Sequence, residues 1–140
     1  MGARYEIKMI NKDGVWYYAN LIGDDGEWLG CTELCRSVDA VHNSVYSMQN
    51  AVGVRGRFEI RTGKRTFDDV GKYGIVKAGN GLEMFRTDWA KTEEEVEEVF
   101  RKIRMCGSTM DVVEVYEGQV NDEENETNND NEKEKENDNE

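Results

Sequence analysis

The side chains best suited to chemistry lie close together in the first third of the chain: Cys31, Cys35 and His42. Two thiols and an imidazole suggest a metal centre or a Cys–His nucleophile. A metal needs three or four converging ligands, and the spacing supplies no fourth, since Cys106 lies far along the chain. Cys31 falls in a strand and Cys35 near a helix start, so both are expected to pack as small apolar groups. His42 sits beside Val41 and Val45 on a helix, with no acid partner evident from spacing. It reads as a helix-surface or core-edge histidine rather than a base.

Glu93, Glu94, Glu95, Glu97 and Glu98 form the densest group of carboxylates before the C-terminus. Their place at the start of a helix gives them other work, as cap and as complement to the helix dipole. Glycines 71, 74, 79 and 81 do not make a phosphate loop, because they lie within and between strands and no Lys-Ser or Lys-Thr opens a helix behind them. The expectation is no catalytic residue, no metal and no cofactor: the chain is not read as an enzyme.

Charge is uneven. The 140 residues carry a net charge of −12, with three cysteines, one histidine and no proline. Residues 121–140 hold ten acids and two lysines, a net of −8, which leaves −4 on the rest. Beyond Val120 no apolar residue remains, so this stretch cannot offset its own ordering entropy and is expected to be a disordered acidic tail. Arg55, Arg57, Arg61, Lys64 and Arg65 make a local basic strip. Phosphate affinity needs a net positive field, so direct nucleic-acid binding is not expected. No apolar run would span a bilayer and no signal peptide opens the chain. With its sparse, odd cysteine count, the chain reads as cytoplasmic.

The elements that position these residues come in two series. Arg4 to Ile10 alternates as a half-buried strand, Asn11–Gly14 turns, Val15–Ile22 returns, and Glu27–Thr32 follows the Asp24-Asp25-Gly26 turn. Ser37 caps a helix whose stripe is Val38, Val41, Val45 and Met48, ending near Asn50. A second series begins at Arg57, passes a longer loop around Gly63–Gly71, and continues through strands at Tyr73–Lys77 and Leu82–Arg86, joined by Asn80-Gly81. Thr92 and Glu95 form a capping box for a helix striped with Val96, Val99, Phe100 and Ile103. A last strand is expected over Asp111–Glu117. Residues 72–85 align without a gap on residues 17–30.

This duplicated unit resembles the YegP-like family, small bacterial and archaeal proteins of unknown function. The likeness rests on Arg57-Phe58-Glu59-Ile60, on Lys77-Ala78-Gly79-Asn80-Gly81, and on Ser44-Val45-Tyr46-Ser47-Met48, where the family tends to have Gly-Ile-x-Ser-Val. The second helix departs from that pattern with Val99-Phe100-Arg101-Lys102-Ile103, and the first turn has Asp25-Gly26 in place of Asn-Gly. The resemblance implies two joined β-β-β-α-β units with their last strands exchanged, and no catalytic residues.

The expected fold is therefore α+β: two tandem repeats, residues 1–55 and 56–118, sharing one antiparallel sheet with two helices on one face, then the tail at 119–140. One helix per unit covers only one face of a sheet. The other face should then expose Trp16, Tyr18, Ile22, Tyr73 and Ile75, a patch of the kind that marks an interface. The function expected is a non-enzymatic protein-interaction module, binding a partner or its own copy through this aromatic face or an edge strand. The alternative is an acidic inhibitor or nucleic-acid mimic, of phage or mobile-element origin, acting on a nucleic-acid-handling protein. A third reading places a small-molecule site between the units.

Overall fold

The computed structural model describes residues 2–115 of the chain. Period-two alternation builds the first hairpin, in which β1 (Arg4–Asn11) and β2 (Val15–Ile22) pair antiparallel along their whole length. The turn between them holds Asp13 at φ 54° and Gly14 at φ 117°, a left-handed pair that Asp-Gly adopts at small cost. β3 (Trp28–Thr32) completes the meander. Ser37 then caps α1 (Val38–Ala51), its hydroxyl accepting the N–H of Ala40.

The second half follows the same order: β4 (Phe58–Thr66), β5 (Asp69–Lys77), β6 (Glu83–Arg86) and α2 (Glu93–Cys106). Both bonds of the Thr92/Glu95 capping box form. Several contacts recur at one constant sequence offset. Thr32 Oγ1 accepts the N–H of Ala19 as Thr87 Oγ1 accepts that of Gly74. Tyr17 bridges Cys35 as Lys72 bridges Ala90, and Ser37 caps α1 as Thr92 caps α2.

Among the described residues one seven-stranded sheet results, in the order β4-β5-β6-β3-β2-β1-β7. Its seam between the halves is short, since β3 and β6 pair only at Cys31↔Arg86 and Thr32↔Phe85. Rows of residues joined by this register share a face: Ile7, Ala19, Phe85, Val76 and Phe58 on one side. Val41, Val45 and Met48 of α1 and Val96, Phe100 and Ile103 of α2 join that row in one core cluster.

Three expectations need correction. Two complete β-β-β-α-β units would give eight strands, whereas α1 leads through a 3-10 turn at Arg55–Arg57 straight into β4, leaving no residues for a strand between them. The sheet is mixed rather than wholly antiparallel, because β7 (Val112–Glu114) pairs parallel to β1. Gly63–Gly71 is not a loop: β4 and β5 continue through it to a turn at Phe67-Asp68, with a bulge at Lys64/Thr66. The expected extension of the last strand to Glu117 and the acidic tail lie outside the described residues. Among the described residues no helix is long and apolar enough to cross a membrane.

Candidate functional site

The face of the sheet turned away from the helices carries all five residues expected to form an exposed patch. Ile22 and Ile75 are in fact buried. Trp16, Tyr18 and Tyr73 are half-buried. The patch is closed because long charged side chains lie along the apolar surface and keep only their heads in water. Arg36 stacks on the Trp16 ring, 3.7 Å from its centroid, and the indole N–H donates to the carbonyl of Lys12. Arg86 covers Tyr73 at 4.6 Å, and Trp89 meets the same ring edge-on at 5.0 Å. Burial, with a smaller contribution from Cys31, pushes the Tyr18 hydroxyl up to about 12.

What this face presents instead is a charge network. Glu59 accepts from Arg61 Nε at 3.0 Å and pairs with Lys77 at 3.1 Å, which holds its carboxyl below the usual range. Arg61 also reaches Glu83 at 3.6 Å. Arg86 donates twice to Glu83, at 2.8 and 3.2 Å. Across the seam, Glu33 hydrogen-bonds Glu83, and Cys31 lies beside both carboxyls. Burial, then the charge of Glu33, raises the Cys31 thiol, the opposite of what an activated nucleophile needs.

Cys35 lies 3.9 Å from Ser44 Oγ, and Cys106 is buried in the core. Among the described residues, no cluster of three or more His, Cys, Asp or Glu has metal-binding geometry. His42, which spacing left without an acid, has Glu114 at 3.1 Å and ties α1 to β7. That partner comes from the far end of the chain, which local spacing does not reveal.

The sheet edge is the feature that sequence reading named without locating. β4 is an outer strand of nine residues. Lys72 exchanges both backbone bonds with Ala90, and Gly74 directs its N–H and C=O to Thr87, so both residues turn away from β4. Their cross-strand partners Thr62 and Ile60 therefore direct N–H and C=O outward from the sheet. The hairpin projects at this edge, with Phe67 90% and Val70 60% exposed at its tip.

No protein-family model matches this chain, and no curated protein does. Two solved structures superpose on it. A UPF0339 protein from Shewanella oneidensis gives a TM-score of 0.71 at 17% identity, over 83% of this chain and 93% of its own. YegP from E. coli, described as of unknown function, gives 0.69 at 18% identity, over 84% and 96%. The fold is that of YegP. The match spans nearly all of YegP, so the elements around the candidate surfaces here belong to the YegP-like scaffold. At this identity the likeness extends to fold alone, and the side chains on the open face are this chain's own.

Proposed function

We propose that this chain is a non-enzymatic protein-interaction module that takes an extended segment of a partner, or of a second copy, against β4. The observation that carries the reading is the outward-facing backbone of Ile60 and Thr62 on a nine-residue outer strand. A strand of this length that no described residue covers is a template for strand addition. β7, at the other side of the sheet, has three residues. The aromatic face is the weaker of the two surfaces, since Ile22 and Ile75 are buried and guanidinium groups cover Trp16 and Tyr73. A non-catalytic role is supported by the pairing of the open face's acids and bases with one another. The contacts repeated at a constant offset support a tandem duplication of one βββα unit as the origin of the chain.

Proline at position 62 tests the edge directly. The Thr62 N–H takes no part in the β4–β5 ladder, so Thr62→Pro is compatible with an edge strand yet removes a donor a docked strand would use. Tagged wild type, Thr62→Pro and Thr62→Val should be compared by light scattering and by recovery of complexes from the native host. The expected result is assembly lost in the proline variant and kept in the valine variant, with both retaining the wild-type melting profile. Equal assembly by folded wild type and Thr62→Pro would refute the proposal.

A further inference from the structure

Beyond the short seam the two halves of the sheet part. β6 continues along β5, with the Thr87 N–H donating to the carbonyl of Gly74 and Ala90 exchanging bonds with Lys72. Trp28 and Leu29 instead follow β2. The gap so formed opens a cavity of about 440 Å³ beside α2, within the size range of small-ligand sites. Its apolar wall is Leu29, Val96 and Val99, with Trp28 and Trp89 also lining it.

The polar lining is strongly one-sided: carboxylates of Glu27, Asp88, Glu95 and Glu98 against the single ammonium of Lys102. Lys102 is already committed to Glu27 at 2.6 Å, and Glu98 accepts from Arg101 Nε at 3.1 Å, which leaves Asp88 and Glu95. Asp88 gives one oxygen to the N–H of Trp89 at 2.8 Å and, like Glu95, has no cationic partner among the described residues. The start of α2 would ordinarily attract an anion. Here Glu95 Oε1 accepts the N–H groups of Lys91 and Thr92, at 2.7 and 3.3 Å, so the chain's own carboxylate fills that place. An anionic ligand would face four carboxylates and one ammonium that is already paired.

We propose that this cavity binds an alkylammonium group, its apolar body against Leu29, Val96 and Val99 and its charged head toward Asp88. The site is separate from the β4 edge and does not rest on the interaction reading. One cation chemistry has two sources, a free amine or the lysine side chain of a polypeptide.

The test is an NMR titration of the full-length chain with n-hexylammonium, with the neutral analogue n-hexanol, and with a lysine blocked at both backbone ends. Shifts should centre on Val96, Val99 and the Trp89 backbone amide, with n-hexylammonium binding about tenfold or more tighter than n-hexanol. Asp88→Asn should weaken the amine severalfold without changing n-hexanol binding, the amide oxygen at 88 still accepting the Trp89 N–H. Lys102→Met, which removes the cation lining the cavity and frees Glu27, should tighten amine binding, a gain that a purely structural role would not give. Tighter binding of the blocked lysine identifies a polypeptide side chain as the natural source, and tighter binding of n-hexylammonium a free amine. Equal affinity for amine and alcohol, absence of binding by either, or amine affinity unchanged in the folded variants would each overturn the proposal.

Discussion

At the scale of single residues, two buried threonines work hardest for the sheet. Thr87 Oγ1 accepts the N–H of Gly74 at 2.9 Å and donates to the carbonyl of Asp88. Thr32 does the same between Ala19 and Glu33. Thr87→Val keeps the shape but leaves the buried Gly74 N–H without its acceptor, so it should cost about 1–3 kcal/mol in urea unfolding. Thr87→Ser, which keeps the oxygen, should cost clearly less. Nothing in the sequence separates these threonines from surface ones, because the bond joins residues brought together only by the register. Ser37 and Thr92 were legible because a cap acts over three residues. A second residue-scale prediction concerns pH. Burial first, then the hydrogen bond and charge of Glu83, raise the Glu33 carboxyl, while Arg86 opposes them. Burial also acts upward on Glu83, but the bond and charge of Arg86, with help from Glu33 and Arg61, leave it below the usual range. A raised carboxyl contributes stability in full below the unfolded glutamate value, and loses it as pH climbs through the folded one. The depressed Glu83 behaves oppositely, losing its contribution as pH falls below the unfolded value. Thermal melts across pH should therefore show wild type losing stability on the alkaline side of the unfolded glutamate value, with Glu33→Gln flat there. An identical slope in both proteins would rule out the raised Glu33 carboxyl as its source.

At the scale of elements, the β4–β5 hairpin shows where sequence reading stopped. Gly63, Gly71 and the charges around them read as loop, since glycine and lysine are poor strand formers. The strands persist because Trp89 lies across them: a Cβ on Gly63 would sit 3.2 Å, and one on Gly71 2.9 Å, from its ring. The indole takes the space that side chains on the hairpin would occupy, and its contact with Tyr73 anchors the far end. Trp89→Ala should strip this cover and loosen the hairpin without touching α1. Amide exchange at residues 64–70 is expected to rise about tenfold, the equivalent of roughly 1.4 kcal/mol of lost local stability, while the amides of α1 exchange as before. Equal acceleration in both places would mean that the indole supports the whole fold and not this element. The first meander and both helices were legible because hydrophobic period, short turns and caps are local signals. The charged cover over Trp16 and Tyr73 was not, since Arg36 and Arg86 reach those rings through tertiary contacts.

At the scale of the molecule, the two halves are held together by less pairing than their likeness suggests, and by more closure. The seam has two residue pairs, and β7 returns from the end of the second half to pair with β1 of the first. Around that return, Tyr5 donates its hydroxyl to the carbonyl of Gly107 at 2.6 Å and Thr109 donates to Ala3 at 3.0 Å. Gln49 donates to the carbonyl of Thr109 at 2.9 Å. The parallel closing pair has no local signature, so an antiparallel reading of the whole sheet was the natural extension of its turns. Core residues of both helices belong to one cluster, which means neither half has a core to itself. Chains near sixty residues are marginal even with a complete core. Residues 1–53 and 54–140, expressed as separate fragments cut just before the 3-10 turn, should therefore each lack a cooperative melt. Mixed in equal amounts they should recover one transition, with a midpoint that rises with concentration because folding and association are then a single step. A cooperative melt from either fragment alone would show that the shared core is dispensable, and that the halves are independent domains joined by a thin seam.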